Sequence, residues 1–245
     1  MSTGFSEQTL AFTSQTPFVT KLSYHDYPSW NFAVTGLIKN PDALKTTLQK
    51  LRPDLTTIQV DVQGLSGDCV LTSLGGDFAD RLGAALTDED YDLVIILGGT
   101  NDLAYKFEKG NDGATEIFEK GLRLLYDYVM ETTKASLLVM TVPQRQIDVS
   151  KHDSWSGKAR ESREYLNELI LGWAEKQEKR VFSMDLARLM PFPVEHPGME
   201  EIDDRFGEES WWSADGLHMS EKGYDKMGEL LAERIAKLLQ PSQDS

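Results

Sequence analysis

Four apolar, β-branched segments alternate with stretches long enough for amphipathic helices, and this alternation is what most constrains the fold. The segments are Thr56–Val62, Tyr91–Gly98, Ala135–Val142 and Arg180–Asp185. Each has an apolar middle and is followed by turn-forming residues, the pattern of a buried strand. The intervening stretches predict helices over Phe78–Leu86, Thr115–Thr132, Gly157–Lys179 and Ser220–Leu239. In the second of these, Ile117, Gly121, Leu124, Leu125 and Tyr128 fall on one face at helical spacing. Ser220 suits the N-cap of the last, since its hydroxyl can accept from a free backbone N–H of the first turn. Strands joined through helices give parallel pairing in a sheet covered on both faces. The fold class expected is therefore α/β, a three-layer α/β/α arrangement around a flavodoxin-like parallel sheet. Such sheets place their ligand site at the carboxyl ends of the strands.

Residues 25–55 fit this pattern worst. They carry Pro28, Pro41 and Pro53 and one short helical stretch, Asp42–Leu51. They read as an elaborated connection within a single domain spanning 1–245.

Composition narrows the partners. Forty acidic against 25 basic residues give a net charge of −15. Nucleic acid and anionic membrane surfaces call for clustered Lys and Arg, so neither is an expected partner. One cysteine, Cys69, leaves no internal disulfide framework and no Cys-based zinc site. The apolar runs Leu93–Leu97 and Leu137–Val142 fall far short of the roughly 20 residues of a membrane helix. No basic-then-apolar signal segment opens the chain. The default expectation is a soluble, cytoplasmic protein of open oligomeric state.

The residues at the carboxyl end of each strand carry the chemistry. After Thr56–Val62 comes Gln63-Gly64-Leu65-Ser66-Gly67-Asp68, whose glycines allow a tight turn presenting a backbone N–H. After Tyr91–Gly98 comes Gly99-Thr100-Asn101-Asp102, which can project the Asn101 amide into a cleft. Before the last helix stands Asp215-Gly216-Leu217-His218. One turn of chain can bring the Asp215 carboxylate to the His218 Nδ1–H. That contact fixes the tautomer and leaves Nε2 as a base. Taken singly, these are a turn, a helix cap and a surface contact. Together, at successive strand ends, they point to a catalytic site.

These blocks resemble those of the SGNH hydrolases, the GDSL-type lipases and esterases. Ser66-Gly67-Asp68 is similar to that family's second block, Gly98-Gly99-Thr100-Asn101-Asp102 to its third and Asp215-Gly216-Leu217-His218 to its fifth. The resemblance spans nearly the whole chain, with 25–55 its least typical part. It implies His218 as general base, Asp215 as the residue that orients it, and Gly67 and Asn101 as oxyanion-hole donors. It also implies a small-molecule ester substrate and no cofactor.

The family's first block, Gly-Asp-Ser at the end of the first strand, is absent from the chain. Two alignments are open. In one, Ser2-Thr3-Gly4-Phe5-Ser6 matches the tail of the block and the serine lies just upstream of Met1. In the other, Thr9–Phe12 is a degenerate first strand and Ser14 replaces the serine. The first matches both flanks without unusual gaps. It predicts a sheet of order 2-1-3-4-5 lacking its first, interior strand. A stretch upstream could also hold a signal peptide, which reopens the localisation.

The remaining residues carry blander expectations. His25, His152 and His196 have no metal-ligand spacing and read as surface residues, so no metal site is expected. Cys69 reads as a small buried filler. Trp211 and Trp212 either wall the cleft or pack in the core. Pro143-Gln144-Arg145 sits at the cleft mouth, and the acidic segment Pro191–Ser210 borders the same edge. The function expected is hydrolysis of carboxylic esters by acyl transfer. The alternative is a catalytically inactive relative, or a fragment without the nucleophile, that binds a ligand. A nucleotide-binding α/β domain is disfavoured, because no Gly-rich phosphate loop follows a strand.

Overall fold

The computed structural model describes residues 29–35, 41–88, 90–149, 154–177, 179–193, 211–213 and 215–239. Five parallel strands form one sheet: β1 (Ser29–Thr35), β2 (Thr57–Val62), β3 (Leu93–Ile96), β4 (Ser136–Met140) and β5 (Val181–Met184). Their order is β2-β1-β3-β4-β5. The α/β class expected from the alternation and the 2-1-3-4-5 order expected from the fold type are both observed.

The interior strand, however, is present. β1 pairs with β2 from Ser29↔Thr57 to Val34↔Val62, and with β3 from Phe32↔Leu93 to Thr35↔Ile96. This corrects both the expected loss of that strand and the reading of residues 25–55 as a connection. Trp30, Phe32 and Val34 recur at a spacing of two, which is a strand signal in the sequence. The segments Ser2–Ser6 and Thr9–Phe12, with Ser14, lie outside the described residues.

Period two explains why the other strands read as continuous apolar runs. Leu93, Ile95, Leu138 and Met140 point to one face, while Val94, Ile96, Leu137 and Val139 point to the other. Both faces are buried, so no polar alternation is needed. On the first face lie α1 (Pro41–Leu51) and α9 (Glu221–Leu238), through Leu44, Leu48, Met227, Leu231 and Ile235. On the second lie α2 (Phe78–Asp88), α4 (Gly110–Ile117), α5 (Arg123–Thr132) and α7 (Ser154–Ala174). Short helices α3 (Thr100–Lys106), α6 (Gln146–Val149) and α8 (Leu186–Leu189) follow β3, β4 and β5. Ser220 caps α9 as expected, its hydroxyl accepting from Gly223 N at 3.1 Å.

One helix departs from its expected face. Between α4 and α5 the chain makes a π turn over Phe118–Leu122. The wider turn advances the buried stripe by about one residue. Leu122, Leu125, Tyr126 and Val129 are buried, whereas Leu124 and Tyr128, expected inside, are exposed. At Gly121 in this turn an added Cβ would stand 2.6 Å from Val70 Cγ2. The bare backbone there lets the segment after Gly67-Asp68 dock against the helix.

Candidate active site

The carboxyl ends of the strands surround an open cleft, and Gly67, Asn101 and His218 all line it. Each comes from a different loop, so the local contacts of each loop decide where its functional group stands.

The loop after β2 is held by Asp68. Its Oδ1 accepts from Cys69 N and Asp77 N, both at 2.9 Å, and its Oδ2 pairs with Arg81. Arg81 also donates to the Gln63 carbonyl, which ties α2 to both ends of the loop. Within this frame Gly67 adopts φ +80°, a left-handed conformation open to glycine at little cost. Its N–H has no acceptor among the described residues.

The loop after β3 leads into α3. Asn101 Nδ2 donates to the Asp68 carbonyl at 2.7 Å, which leaves its second amide hydrogen unspent. Asp102 turns the other way and is fully buried. Its two oxygens accept from Val70 N at 3.0 Å and Leu71 N at 2.9 Å. Burial pushes the Asp102 pKa up, and these backbone donors oppose the shift. Asp102 is thus a strut between the second- and third-block loops. Cys69 is buried as expected, and burial, with Asp102 and Asp68 nearby, pushes its thiol pKa up to about 11. A thiol so shifted is a poor source of thiolate.

The loop before α9 forms a small antiparallel clamp. Ser213 N donates to His218 O at 2.9 Å, Ser220 N to Trp211 O at 3.0 Å, and Trp212 bridges Met219. Inside the clamp Asp215 Oδ1 accepts from Leu217 N at 2.9 Å and His218 N at 2.8 Å. Its Oδ2 stands 2.7 Å from His218 Nδ1. Burial of the carboxyl opposes ionisation, but the hydrogen bonds from His218 and Leu217 outweigh it and hold the Asp215 pKa below its ordinary value. His218 Nε2 has no hydrogen-bond partner among the described residues. Gly216 sits at φ +70° with its backbone against Gln146, and Gln146 N donates to Gly216 O at 2.8 Å. This bond couples the clamp to the loop after β4.

Trp212 does what both of its expected readings allowed. It lines the cleft and is 1% exposed, packed at a tilt against Phe192 at 4.9 Å between ring centres, with Nε1 donating to Pro191 O. Pro143 and Arg145 line the cleft, while Gln144 turns away to accept from Phe192 N at 2.8 Å. Tyr224 also lines it; burial, with Asp215 nearby, pushes its pKa up to about 12. His25, His152 and His196, and most of the acidic 191–210 segment, lie outside the described residues. Among the described residues no cluster of His, Cys, Asp or Glu could hold a metal ion. No helix among them is long and apolar enough to cross a membrane.

The sequence reading missed one part of the site. Asp148 is fully buried and binds Arg145 through Nε at 3.1 Å and Nη2 at 3.0 Å, with Arg163 Nε 3.4 Å away. No spacing rule marks this trio, because Arg163 comes from α7 and meets the others only in the fold.

A family model described as GDSL-like lipase/acylhydrolase matches residues 34–226, starting inside β1. No curated protein matches the sequence. Solved structures of similar fold include a lipase/acylhydrolase from Enterococcus faecalis, at 20% identity and TM-score 0.54, covering 87% of this chain and 99% of that one. The carbohydrate acetylesterase Est24 from Sinorhizobium meliloti matches at 18% identity and TM-score 0.59, covering 85% and 99%. The acetylxylan esterase Axe2 from Geobacillus stearothermophilus matches at 15% and 0.53, covering 86% and 94%. With a family match that takes in all three loops of the cleft, the chain belongs to the GDSL-like lipase/acylhydrolase family, whose general chemistry is ester hydrolysis.

Proposed function

We propose that the chain hydrolyses carboxylic esters of small molecules, with His218 as general base, Asp215 as the group that orients it, and Gly67 and Asn101 as oxyanion donors. The observation that carries this reading is the convergence of the three loops. A carboxylate-held imidazole, a glycine N–H with no acceptor among the described residues, and an amide with one hydrogen bonded to the Asp68 carbonyl line one cleft. His218 Nε2 would take the proton of an attacking hydroxyl and return it to the leaving alcohol. The Gly67 N–H and Asn101 amide would meet the oxygen of the tetrahedral intermediate, where such a donor is worth about 3 kcal/mol. This chemistry requires neither a metal nor an organic cofactor.

One observation favours a second reading, a ligand-binding member of the family. The residues after β1, where the family's serine belongs, are Gly36-Leu37-Ile38-Lys39-Asn40, with no Ser, Thr or Cys among them. A fluorophosphonate probe separates the two readings. Covalent labelling of the folded protein, blocked by His218→Ala and mapped by peptide sequencing, supports the serine hydrolase and identifies the nucleophile, Ser14 included. Absence of labelling, with absence of turnover on p-nitrophenyl acetate, supports the binding module.

A further inference from the structure

We propose that Arg145 is the specificity-determining residue of the cleft, an anchor for a carboxylate carried by the ester substrate. This rests on the ester-hydrolase reading of the same cleft. Its own support is the way the guanidinium is held. Arg145 is 6% exposed, yet it lines the cleft. Asp148 takes the Nε and Nη2 edge, and Arg145 N adds a further bond to Asp148 Oδ2 at 2.8 Å. Among the described residues Nη1 has one long contact, 3.5 Å to the Thr100 carbonyl. A guanidinium braced on one edge presents its remaining N–H groups in a fixed direction, which suits a planar carboxylate.

Charge points the same way. Asp148 faces two buried guanidinium groups, since Arg163 is 3% exposed and approaches the same carboxylate. Arg163 also has Glu164 3.3 Å from Nη2, with its side chain 53% exposed and open to solvent screening, and Asp185 acting on it at longer range. Asp68, the acidic side chain among the described residues that line the cleft, is committed to Arg81. Within the buried trio two guanidinium groups thus share one carboxylate, and an anionic ligand at Arg145 would supply a second counter-charge.

Position completes the argument. Thr100, touched by Nη1, precedes Asn101, and Gln146, which follows Arg145, bonds the loop of Asp215 and His218. Arg145 thus lies between the two halves of the reacting centre. A carboxylate held there belongs to a compact substrate, with the charge a few bonds from the ester.

Two isosteric pairs test this: 3- and 4-acetoxybenzoate against 3- and 4-acetoxybenzamide. Turnover is read as kcat and KM. Binding of the products, the hydroxybenzoates against the hydroxybenzamides, is read by calorimetry. The expected result is a preference of about tenfold or more for at least one carboxylate, carried by KM. Arg145→Gln should bring the ratio near one, and Arg145→Lys should keep part of it. Equal handling of acid and amide by the wild type, in both turnover and binding, overturns the proposal. So does a preference that survives in a folded Arg145→Gln variant. If that variant does not fold, the wild-type ratio decides alone. If no ester is turned over at all, the hydrolase reading fails while the calorimetric comparison still decides the anion site.

Discussion

Asn101 Nδ2 donates to the main-chain carbonyl of Asp68 at 2.7 Å, so one bond joins the loops that follow β2 and β3. The amide is thereby aimed before any substrate arrives, and its second hydrogen is left for a ligand. Preorganised donors of this kind stabilise charge that develops only in the transition state. Asn101→Ala is expected to lower kcat on p-nitrophenyl acetate by about 10²–10³-fold with little change in KM. The same substitution should cost about 1 kcal/mol of stability through the lost bond, read as a modest fall in Tm. An unchanged kcat in the folded variant would remove Asn101 from the oxyanion hole.

Asp215 is held on both oxygens, one by backbone N–H groups and one by the His218 ring. Its folded pKa is depressed, so the stability it contributes is present above the ordinary carboxylate range and is lost as pH falls through the folded value. The Asp215–His218 contact should persist at pH 4 and fail only in stronger acid. Asp215→Asn should lower kcat by about 10²–10⁴-fold at pH 7, because an amide cannot hold the imidazolium that forms. A stability gap between wild type and Asp215→Asn that closes on acidification checks the sign. A gap that widens as pH falls would contradict it.

The legibility of the sequence followed how local each signal was. Asp215 and His218 sit three apart, and the contact that matters forms within one turn, so spacing alone pointed to it. β3 and β4 showed as apolar runs because both of their faces are buried. β1 did not, because its period-two signal is short and stands among prolines that read as a loop. The face of Thr115–Thr132 was misplaced because a π turn cannot be read from a helical period. The Asp148 trio was invisible for a different reason. Arg145 and Asp148 also sit three apart, but Arg163 reaches them from α7 only in the fold, and nothing in the local pattern of either segment requires the other.

Asp102 illustrates a block residue that acts on structure. Its carboxylate accepts two backbone N–H groups in a fully buried position. An asparagine there could accept only one, and its NH₂ would face the other donor. Asp102→Asn is expected to destabilise the fold by about 1–3 kcal/mol, measured by urea unfolding at pH 7. Equal stability of the two proteins would mean that the strut between Val70, Leu71 and α3 is dispensable.

The π turn makes a last prediction, on packing. Val70 follows Cys69 in the second-block loop and fits against Gly121, where an added Cβ would come within 2.6 Å of Val70 Cγ2 and 3.2 Å of Val70 Cβ. Valine is stiff at χ1 and cannot swing aside, so the loop or the helix must move. Gly121→Ala should therefore cost about 1–3 kcal/mol by overpacking. Because the loop also carries Gly67, ester turnover should fall further than stability alone explains. Val70→Ala removes the clashing methyls and leaves a small cavity. The double variant Val70→Ala/Gly121→Ala should then be more stable than the sum of the single losses predicts, by about 0.5–3 kcal/mol of coupling. Strict additivity in urea unfolding would show that the two residues do not press on each other.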